Sequence, residues 1–247
     1  MKRIVLLFFF GLIIACNSFA SPGLRIMESM VMHSRILNQD VHFSVCLPKT
    51  YYHSKQSFPV VYLLHGLGDD ETSWLEYGQI SQYADKSVAD GEIKPMIFVM
   101  PEGFRTYYVN DYKGTFLYQD MFVKELVPHI DSLFRSLADK KHRALMGYSM
   151  GGYGALILPA KNPEVFKTGV VLSMSFRTDE QYMNESQDGW NSQWGSIFGG
   201  VGTSGTARLT DYFKTNSPFH FFDKPGDPSL SGQNYFFDCG DDEESLS

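Results

Sequence analysis

Hydrophobic residues in this chain are concentrated in short continuous runs, and these runs predict the strands. The segments 58–64, 95–100, 168–173 and 235–239 are largely apolar, which is typical of strands covered on both faces of a sheet. In the earlier segment 24–47, apolar residues form two blocks in which they either alternate with polar residues or follow one another. Together these patterns predict two antiparallel strands at the start, followed by buried strands farther along the chain.

Two longer segments between the runs are predicted to be helical. They cover residues 72–89 and 116–137. In the second segment apolar residues recur at helical spacing, at Phe122, Leu126, Ile130 and Leu133. Because strands and helices alternate, we expect an α/β fold with a mostly parallel central sheet and helices on both faces.

The most informative motif is Gly147–Gly151, with the sequence Gly-Tyr-Ser-Met-Gly. An apolar strand is predicted before it, at 142–146, and an apolar helix after it, at 153–160. A serine on a sharp turn between strand and helix is typical of a nucleophile elbow, in which glycines two positions on either side make room for the turn. Ser149 is therefore the predicted nucleophile. The alternative is a glycine-rich turn with an incidental serine.

A serine nucleophile also needs N–H donors for the oxyanion that forms during acyl transfer. In elbow hydrolases one donor is the N–H of the residue after the nucleophile, which is Met150 here. The second comes from the loop after an earlier strand, and the turn that begins at His65 is placed to supply the N–H of Leu67. We interpret His65 itself as shaping this turn rather than as an acid or base.

Composition and charge indicate one ordinary globular domain. The chain has 247 residues, of which 43% are hydrophobic and 20% charged, and residues 21–247 are enough for a single α/β domain. The formal net charge of −7 becomes −9 when Lys2 and Arg3 are left out, so no nucleic-acid partner is expected. No spacing of histidines and cysteines indicates a metal site.

Residues 1–20 are predicted to be an export signal. Two basic residues precede an apolar run, 4–15, which is too short for a comfortable membrane span. Residues 18–20 form a small-x-small cleavage site, whereas the residues ending at Cys16 resemble a bacterial lipobox, in which Cys16 would carry a lipid. Both alternatives predict a periplasmic, extracellular or outer-membrane protein of a bacterium, with membrane contact only through such an anchor.

The two other cysteines, Cys46 and Cys239, lie in apolar strand-like runs. We predict that both are buried thiols. Two cysteines are no disulfide framework, although a bond between them stays an open alternative.

Residues 174–215 interrupt the alternation with a stretch rich in glycine, serine and asparagine. A loop this long is predicted to be a lid or binding element, and the alternative is a surface excursion that packs its own aromatic residues. Aromatic residues in this stretch and before it are candidates for stacking on a sugar or phenolic ring. The candidate substrate-binding residues are Trp74, Tyr108, Trp190 and Trp194.

The combination of motifs resembles the esterase-D-type putative esterases. This family includes feruloyl and acetyl-xylan esterases of carbohydrate esterase family 1, S-formylglutathione hydrolases and mycolyltransferases. The resemblance covers the chain from about residue 35 onward, and it implies an α/β-hydrolase fold in three layers, ester hydrolysis through an acyl-serine, and no cofactor or metal. The motifs that carry it are Leu63–Gly66 with Trp74 downstream, Val99–Pro101, Gly147–Gly152 and Asp238–Gly240.

The resemblance also implies a catalytic acid and a histidine after the strand that ends at Gly240. Counting from this glycine places the acid at Glu243, with Asp242 and Glu244 as alternatives. No histidine follows Gly240, and His220 is the one nearest the later strands. We expect that the sequence is shortened at its C-terminus and lacks the base, one strand and a covering helix.

The predicted function is that of a secreted serine carboxylic-ester hydrolase. Its substrates would be acylated oligosaccharides, phenolic esters or other small esters, and it would remove feruloyl or acetyl groups from plant polysaccharide. Loss of the histidine from a serine triad lowers turnover on the order of a millionfold, so we expect the chain as written to hydrolyse esters little faster than background. The alternative is a non-catalytic surface or binding protein on the same fold.

Overall fold

A seven-stranded mixed sheet forms the centre of the computed structural model, which describes residues 25–223 and 232–240. The strands pair in the order β1-β2-β4-β3-β5-β6-β7. The pairs β1–β2 and β2–β4 are antiparallel and all others are parallel, as the runs of apolar residues predicted. The strands are β1 Ile26–Ser34, β2 Gln39–Cys46, β3 Val60–Leu64, β4 Ile97–Pro101, β5 Arg143–Ser149, β6 Thr168–Met174 and β7 Asn234–Asp238.

Helices cover both faces of the sheet and give the molecule three layers. On one face, α5 and the helical segment around Phe122 enclose the larger core, where Tyr62 of β3 packs on Phe122 and Phe166. On the other face, α1 and α2 cover a smaller core that contains Leu63 and Trp74. The helices are α1 Ser73–Glu76, α2 Ile80–Ala89, α3 Tyr118–Met121, α4 Val127–Leu133, α5 Met150–Lys161, α6 Asp179–Asn184, α7 Gln187–Gly189, α8 Asp211–Asn216 and α9 Pro218–Phe221, with π-helical turns at Phe122–Leu126 and Trp190–Gly199 and 3₁₀ turns at Tyr51–His53, Lys140–His142 and Gly205–Arg208.

Both long predicted helices are shorter than their sequence patterns indicated. The segment 72–89 is two helices, because Gln79 adopts a left-handed conformation with φ of 47° and breaks the first from the second. The segment 116–137 ends its helix at Leu133, since Phe134 is extended and Ser136 pairs with Phe58 beside the sheet. Helical periodicity predicted the elements and missed these local breaks.

The last strand is exposed, so the prediction that β7 is buried was wrong. It lies at the edge of the described sheet next to β6, and Phe236 and Phe237 are 61% and 65% exposed. Tyr235 alone turns inward and donates a hydrogen bond to the Leu156 carbonyl of α5 at 3.1 Å. Cys239, just after the strand, is exposed for the same reason, which corrects its predicted burial.

Cys46 is the buried thiol that was predicted, and both cysteines are free. It lines a cavity of about 240 Å³ between β2, α2 and the start of β4, at the amino end of the parallel strands and therefore away from Ser149. Burial raises the pKa of the Cys46 thiol to about 11. A thiol that stays protonated at neutral pH is a poor nucleophile.

The stretch 174–215 is a folded unit that packs its own aromatic rings. Trp190, Trp194 and Phe198 are buried, and the Arg208 guanidinium lies 4.7 Å from the Trp190 ring. Arg208 is 1% exposed and donates hydrogen bonds to several carbonyls of the unit, including that of Tyr182 at 2.8 Å. Among the residues that the structure describes, no helix is long and apolar enough to cross a membrane.

Candidate active site

Ser149 lies at a strained turn between β5 and α5, as the sequence predicted. Its φ of 53° and ψ of −117° are rare for a residue with a side chain and cost about 1 kcal/mol or more. The flanking glycines make the turn feasible. A Cβ on Gly151 would stand 2.5 Å from the Leu64 carbonyl carbon, and one on Gly147 would stand 2.9 Å from the Cα of Gly151. Both clashes involve backbone, so neither position can accept a side chain without a shift of the turn.

The turn after β3, which begins at His65 and contains Leu67, lies directly against this elbow and is here called the oxyanion turn. The ring of Tyr148 would be 2.8 Å from a Cβ on Gly66, so a side chain at position 66 would require the Tyr148 ring to move. Leu67, the predicted oxyanion donor, belongs to this turn, and Met150 begins α5, whose first N–H groups have no partner within the helix. The positive end of the helix dipole also lies here. The structure therefore brings together two segments, the elbow that carries Ser149 and Met150 and the turn that carries Leu67.

A hydrogen bond ties the turn to the elbow. The Tyr148 hydroxyl donates to a carboxylate oxygen of Asp69 at 2.6 Å, and burial together with this bond raises the pKa of the phenol. Tyr148 comes just before the nucleophile and Asp69 lies two residues after Leu67. Sequence reasoning missed this pair, because the two residues are far apart in the chain and nothing in their spacing indicates a contact.

His65 shapes the turn, in agreement with its interpretation from the sequence. The ring is buried, its Nδ1 lies 2.7 Å from the Gly66 carbonyl, and its Nε2 accepts a hydrogen bond from the Gly103 N–H at 2.7 Å. The His65 carbonyl accepts the Tyr108 hydroxyl at 3.0 Å. Both ring nitrogens are therefore engaged in holding the loop that follows β4 against the turn.

All seven histidines lie within residues 25–223, and in this part of the chain none of them hydrogen-bonds the Ser149 hydroxyl. Four lie within 4.0 Å of a carboxylate: His33 with Asp40, His65 with Glu102 at 3.6 Å, His142 with Asp139, and His220 with Asp179 at 2.8 Å. The other three are His42, His53 and His129. His220, the candidate replacement base, thus faces Asp179 of α6. The predicted acid Glu243 and its alternatives Asp242 and Glu244 lie outside the described residues, as do Cys16 and the predicted export signal.

All four predicted substrate-binding rings are buried, with Trp74 at 8% exposed, and for the other three this burial corrects the assignment. Tyr108 is 0% exposed because it packs between His65, Tyr118 and Gly154 of α5. Trp190 and Trp194, at 0% and 1% exposed, pack within the 174–215 unit, where both rings contact Tyr182. A ring enclosed in this way has no face left for a substrate. Trp74 is different, since it forms one wall of a pocket that opens beside the oxyanion turn.

Two openings are lined by the elbow or by a loop that contacts it. The first, here called the turn pocket, has a volume of about 410 Å³ and is lined by Asp69, Ser73, Trp74, Tyr77, Gly78 and Tyr148. The second, the β4-loop cleft, has a volume of about 570 Å³ and lies between the loop after β4 and the Trp190–Gly199 helix. Both volumes are within the range of ligand-binding pockets.

Hydrogen bonds through Ser175 connect the nucleophile to the loop after β4. The Ser175 N–H donates to the Ser149 carbonyl at 3.0 Å, and the Ser175 side chain lies within hydrogen-bonding reach of the Tyr107 hydroxyl. That hydroxyl also accepts a hydrogen bond from Gln193 at 2.7 Å. The role of Tyr107 depends on contacts between segments that are distant in the sequence, so its spacing in the chain does not indicate it.

The sheet order, the covering helices and the elbow define an α/β-hydrolase fold. A family model described as "Putative esterase" matches residues 34–247, and the chain belongs to that family. A solved structure titled ferulic acid esterase is 26% identical with a TM-score of 0.70, and the match covers 90% of this chain and 80% of that one.

Two curated relatives have higher sequence identity over shorter segments. An endo-1,4-beta-xylanase/feruloyl esterase of Xylanibacter ruminicola is 40% identical over 119 residues, which cover 45% of this chain and 16% of that protein. An esterase of Mycobacterium tuberculosis is 34% identical over 122 residues, covering 48% of this chain and 25% of that protein. The chain therefore matches no more than a quarter of the length of these two relatives.

Proposed function

We propose that this protein hydrolyses carboxylic esters through an acyl-serine formed on Ser149. The observation that carries the proposal is the strained Ser149 turn, held by glycines against the segment that bears Leu67. The Ser149 Oγ attacks the ester carbonyl carbon, the alcohol leaves, and water then releases the acid from the acyl-serine. The N–H groups of Met150 and Leu67 stabilise the negative oxygen in both steps.

The substrates we propose are feruloyl or acetyl esters of plant polysaccharide and small esters of the same acids. The Xylanibacter relative and the solved structure, both named for feruloyl or ferulic acid ester cleavage, support this choice. The turn pocket adds a physical reason, because Trp74, Tyr77 and Tyr148 surround a space next to the oxyanion turn that suits an aromatic acyl group. No cofactor enters this chemistry.

Export is part of the proposal. It rests on the basic residues and apolar run of the segment 1–20, and an extracellular polymer is a substrate that an exported enzyme can reach. Lipidation at Cys16 and cleavage after Ala20 remain the two alternatives. Mass spectrometry of the protein recovered from cells would distinguish them by the mature N-terminus and the attached lipid.

A second candidate function is a non-catalytic binding protein on the same fold. The placement of the histidines favours it, because in the described ranges 25–223 and 232–240 no imidazole hydrogen-bonds Ser149. The serine, the glycines and the oxyanion turn favour the enzyme, since a binding protein has no need for a strained nucleophile turn.

Labelling of Ser149 with a fluorophosphonate, read by intact mass, tests the proposal. An esterase site is expected to add one probe per chain, to lose that reaction in Ser149→Ala, and to release acid from methyl ferulate or an acetylated xylo-oligosaccharide in a Ser149-dependent manner. Chains that remain unlabelled and show no Ser149-dependent turnover would support the binding protein instead. Comparison of the two esters identifies the preferred acyl group.

A further inference from the structure

The loop after β4 holds more backbone strain than any neighbouring described segment. Phe104, Tyr107 and Tyr108 have φ values of 51°, 52° and 61°, in the left-handed region that residues with a side chain rarely adopt. Such strain persists only where the surroundings hold the chain firmly, and it clusters at sites that bind ligands or react.

The surroundings of this loop are the catalytic segments themselves. Gly103 and Tyr108 both hydrogen-bond to His65 of the oxyanion turn. On the other side, the Tyr107 ring packs edge-on against Tyr153 of the nucleophile helix at 5.5 Å. The loop therefore has a defined position relative to Ser149, and a ligand bound to it would be placed with respect to the nucleophile.

The β4-loop cleft combines an aromatic wall with a rim of hydrogen-bonding groups. Phe104 is partly exposed and packs edge-to-face on Phe116 at 5.4 Å. Arg105 is exposed and makes no ion pair with any residue in the described ranges. The full lining is Gln39, Phe104, Arg105, Thr106, Val109, Asp111, Phe116, Ser196 and Ile197.

The charges in the cleft are one cation and one anion. The Asp111 carboxylate accepts hydrogen bonds from the Thr115 hydroxyl at 2.5 Å and the Phe116 N–H at 2.8 Å, so it is held within its own loop. Arg105 keeps its donors available. An aromatic face beside amide, hydroxyl and guanidinium groups suits a molecule with an apolar ring face and many hydroxyls, which is the chemistry of a sugar.

We propose that the β4-loop cleft binds the saccharide part of the ester substrate, with a sugar ring on Phe104 and sugar oxygens accepting hydrogen bonds from Arg105. This proposal rests on ester hydrolysis at Ser149, because the saccharide is the alcohol part of the ester that Ser149 is proposed to cleave. The turn pocket, which is lined by Asp69 and Tyr148, then receives the acyl group. The two openings divide the two halves of one ester between them.

Binding of unesterified xylohexaose to the full chain carrying Ser149→Ala tests the site without any need for turnover. Titration calorimetry is expected to show binding that weakens about tenfold in Phe104→Ala and in Arg105→Ala. Tyr83→Ala is the matched control, since Tyr83 is 64% exposed on α2 and lies outside the cleft. Phe104 is partly buried, so its substitution could also weaken folding. The variant at the exposed Arg105 and a thermal-unfolding measurement of both variants distinguish lost binding from lost folding.

Kinetics on two esters test the placement of the cleft beside the nucleophile. In a chain with Ser149 intact, both cleft variants should raise KM for a feruloylated xylo-oligosaccharide about tenfold and leave methyl ferulate unchanged. Xylohexaose binding that is absent, or equal in the variants and the control, overturns the saccharide site. Equal effects on both esters overturn it as well. If Ser149 shows no turnover while xylohexaose binds through Phe104 and Arg105, the proposed hydrolysis fails and the saccharide site stands.

Discussion

The Tyr148 hydroxyl donates a hydrogen bond to the Asp69 carboxylate at 2.6 Å, and this bond joins the nucleophile elbow to the oxyanion turn. The Trp74 ring packs edge-on against Tyr148 at 5.3 Å and limits its movement. A phenol is protonated at neutral pH, and burial raises the pKa of Tyr148 further, so the hydroxyl keeps donating at alkaline pH as well. The position of the Leu67 N–H relative to Ser149 thus depends on a side-chain contact as well as on the backbone.

We predict that Tyr148→Phe slows fluorophosphonate labelling of Ser149 about tenfold without unfolding the protein. A hydrogen bond to a charged group contributes about 1.5–3 kcal/mol, and part of this contribution holds the two segments in register. Asp69→Ala should have a similar effect, whereas Asp69→Asn keeps an acceptor and should have a smaller one. Tyr83→Phe, at an exposed position on α2, is the control. Unchanged labelling rates in Tyr148→Phe would show that the backbone alone positions the turn.

Gly151→Ala is predicted to disrupt the elbow. The new Cβ would meet the Leu64 and His65 carbonyls of β3 and its following turn at separations that real Cβ atoms do not reach. The start of α5 must then move away from the sheet, and we expect a loss of several kcal/mol in the free energy of unfolding together with loss of Ser149 labelling. Denaturant unfolding measures the first and intact mass the second. The control is Gly232→Ala, where a Cβ meets open space; equal stability of the two variants would contradict the prediction.

Added imidazole is predicted to accelerate ester hydrolysis that depends on Ser149. The serine hydroxyl requires a base to remove its proton, and the structure shows His65 hydrogen-bonded to Gly103 and His220 to Asp179 rather than to Ser149. The measurement is the release of 4-nitrophenol from 4-nitrophenyl acetate by the full chain, minus that by Ser149→Ala, at increasing imidazole concentrations. A high rate without imidazole that Ser149→Ala abolishes would show that a base is already present.

The elbow and the strands could be predicted from the sequence because their causes are local. Gly147 and Gly151 are required by the turn itself, and buried parallel strands need continuous apolar runs wherever they occur. The start of the oxyanion turn follows from the end of β3 for the same reason. These features depend on a few consecutive residues, so a single sequence contains the information.

The contacts that complete the site could not be predicted, because they join distant segments. His65 meets Gly103, and Tyr148 meets Asp69, only after β3, β4 and β5 have aligned. Trp190 is a similar case: an aromatic residue in a polar stretch fits a binding surface or a core equally well. Tertiary packing places Trp190 in a core, since the buried Arg208 guanidinium lies over its ring.

Lys161 gives the protein a predicted pH dependence of stability. Burial lowers the pKa of its ammonium group from 10.5 to about 8, against the attraction of Asp120, and its Nζ donates to Asn216 Oδ1 at 2.6 Å. Between pH 8 and 10.5 the unfolded chain binds more protons at this lysine than the folded chain does. The contribution of Lys161 to the free energy of unfolding therefore rises with pH across this window, by up to about 3 kcal/mol.

The measurement is the unfolding free energy of the native protein minus that of Lys161→Met, at pH values from 7 to 9.5. This difference is expected to rise in favour of the native protein as the pH increases. The lost hydrogen bond to Asn216 shifts the difference by a constant amount and leaves its slope unchanged, so the sign of the slope is the test. Lys94→Met, at an exposed position, should give a flat difference over the same range. A flat or falling difference for Lys161→Met would mean that its ammonium group is well solvated in the folded protein.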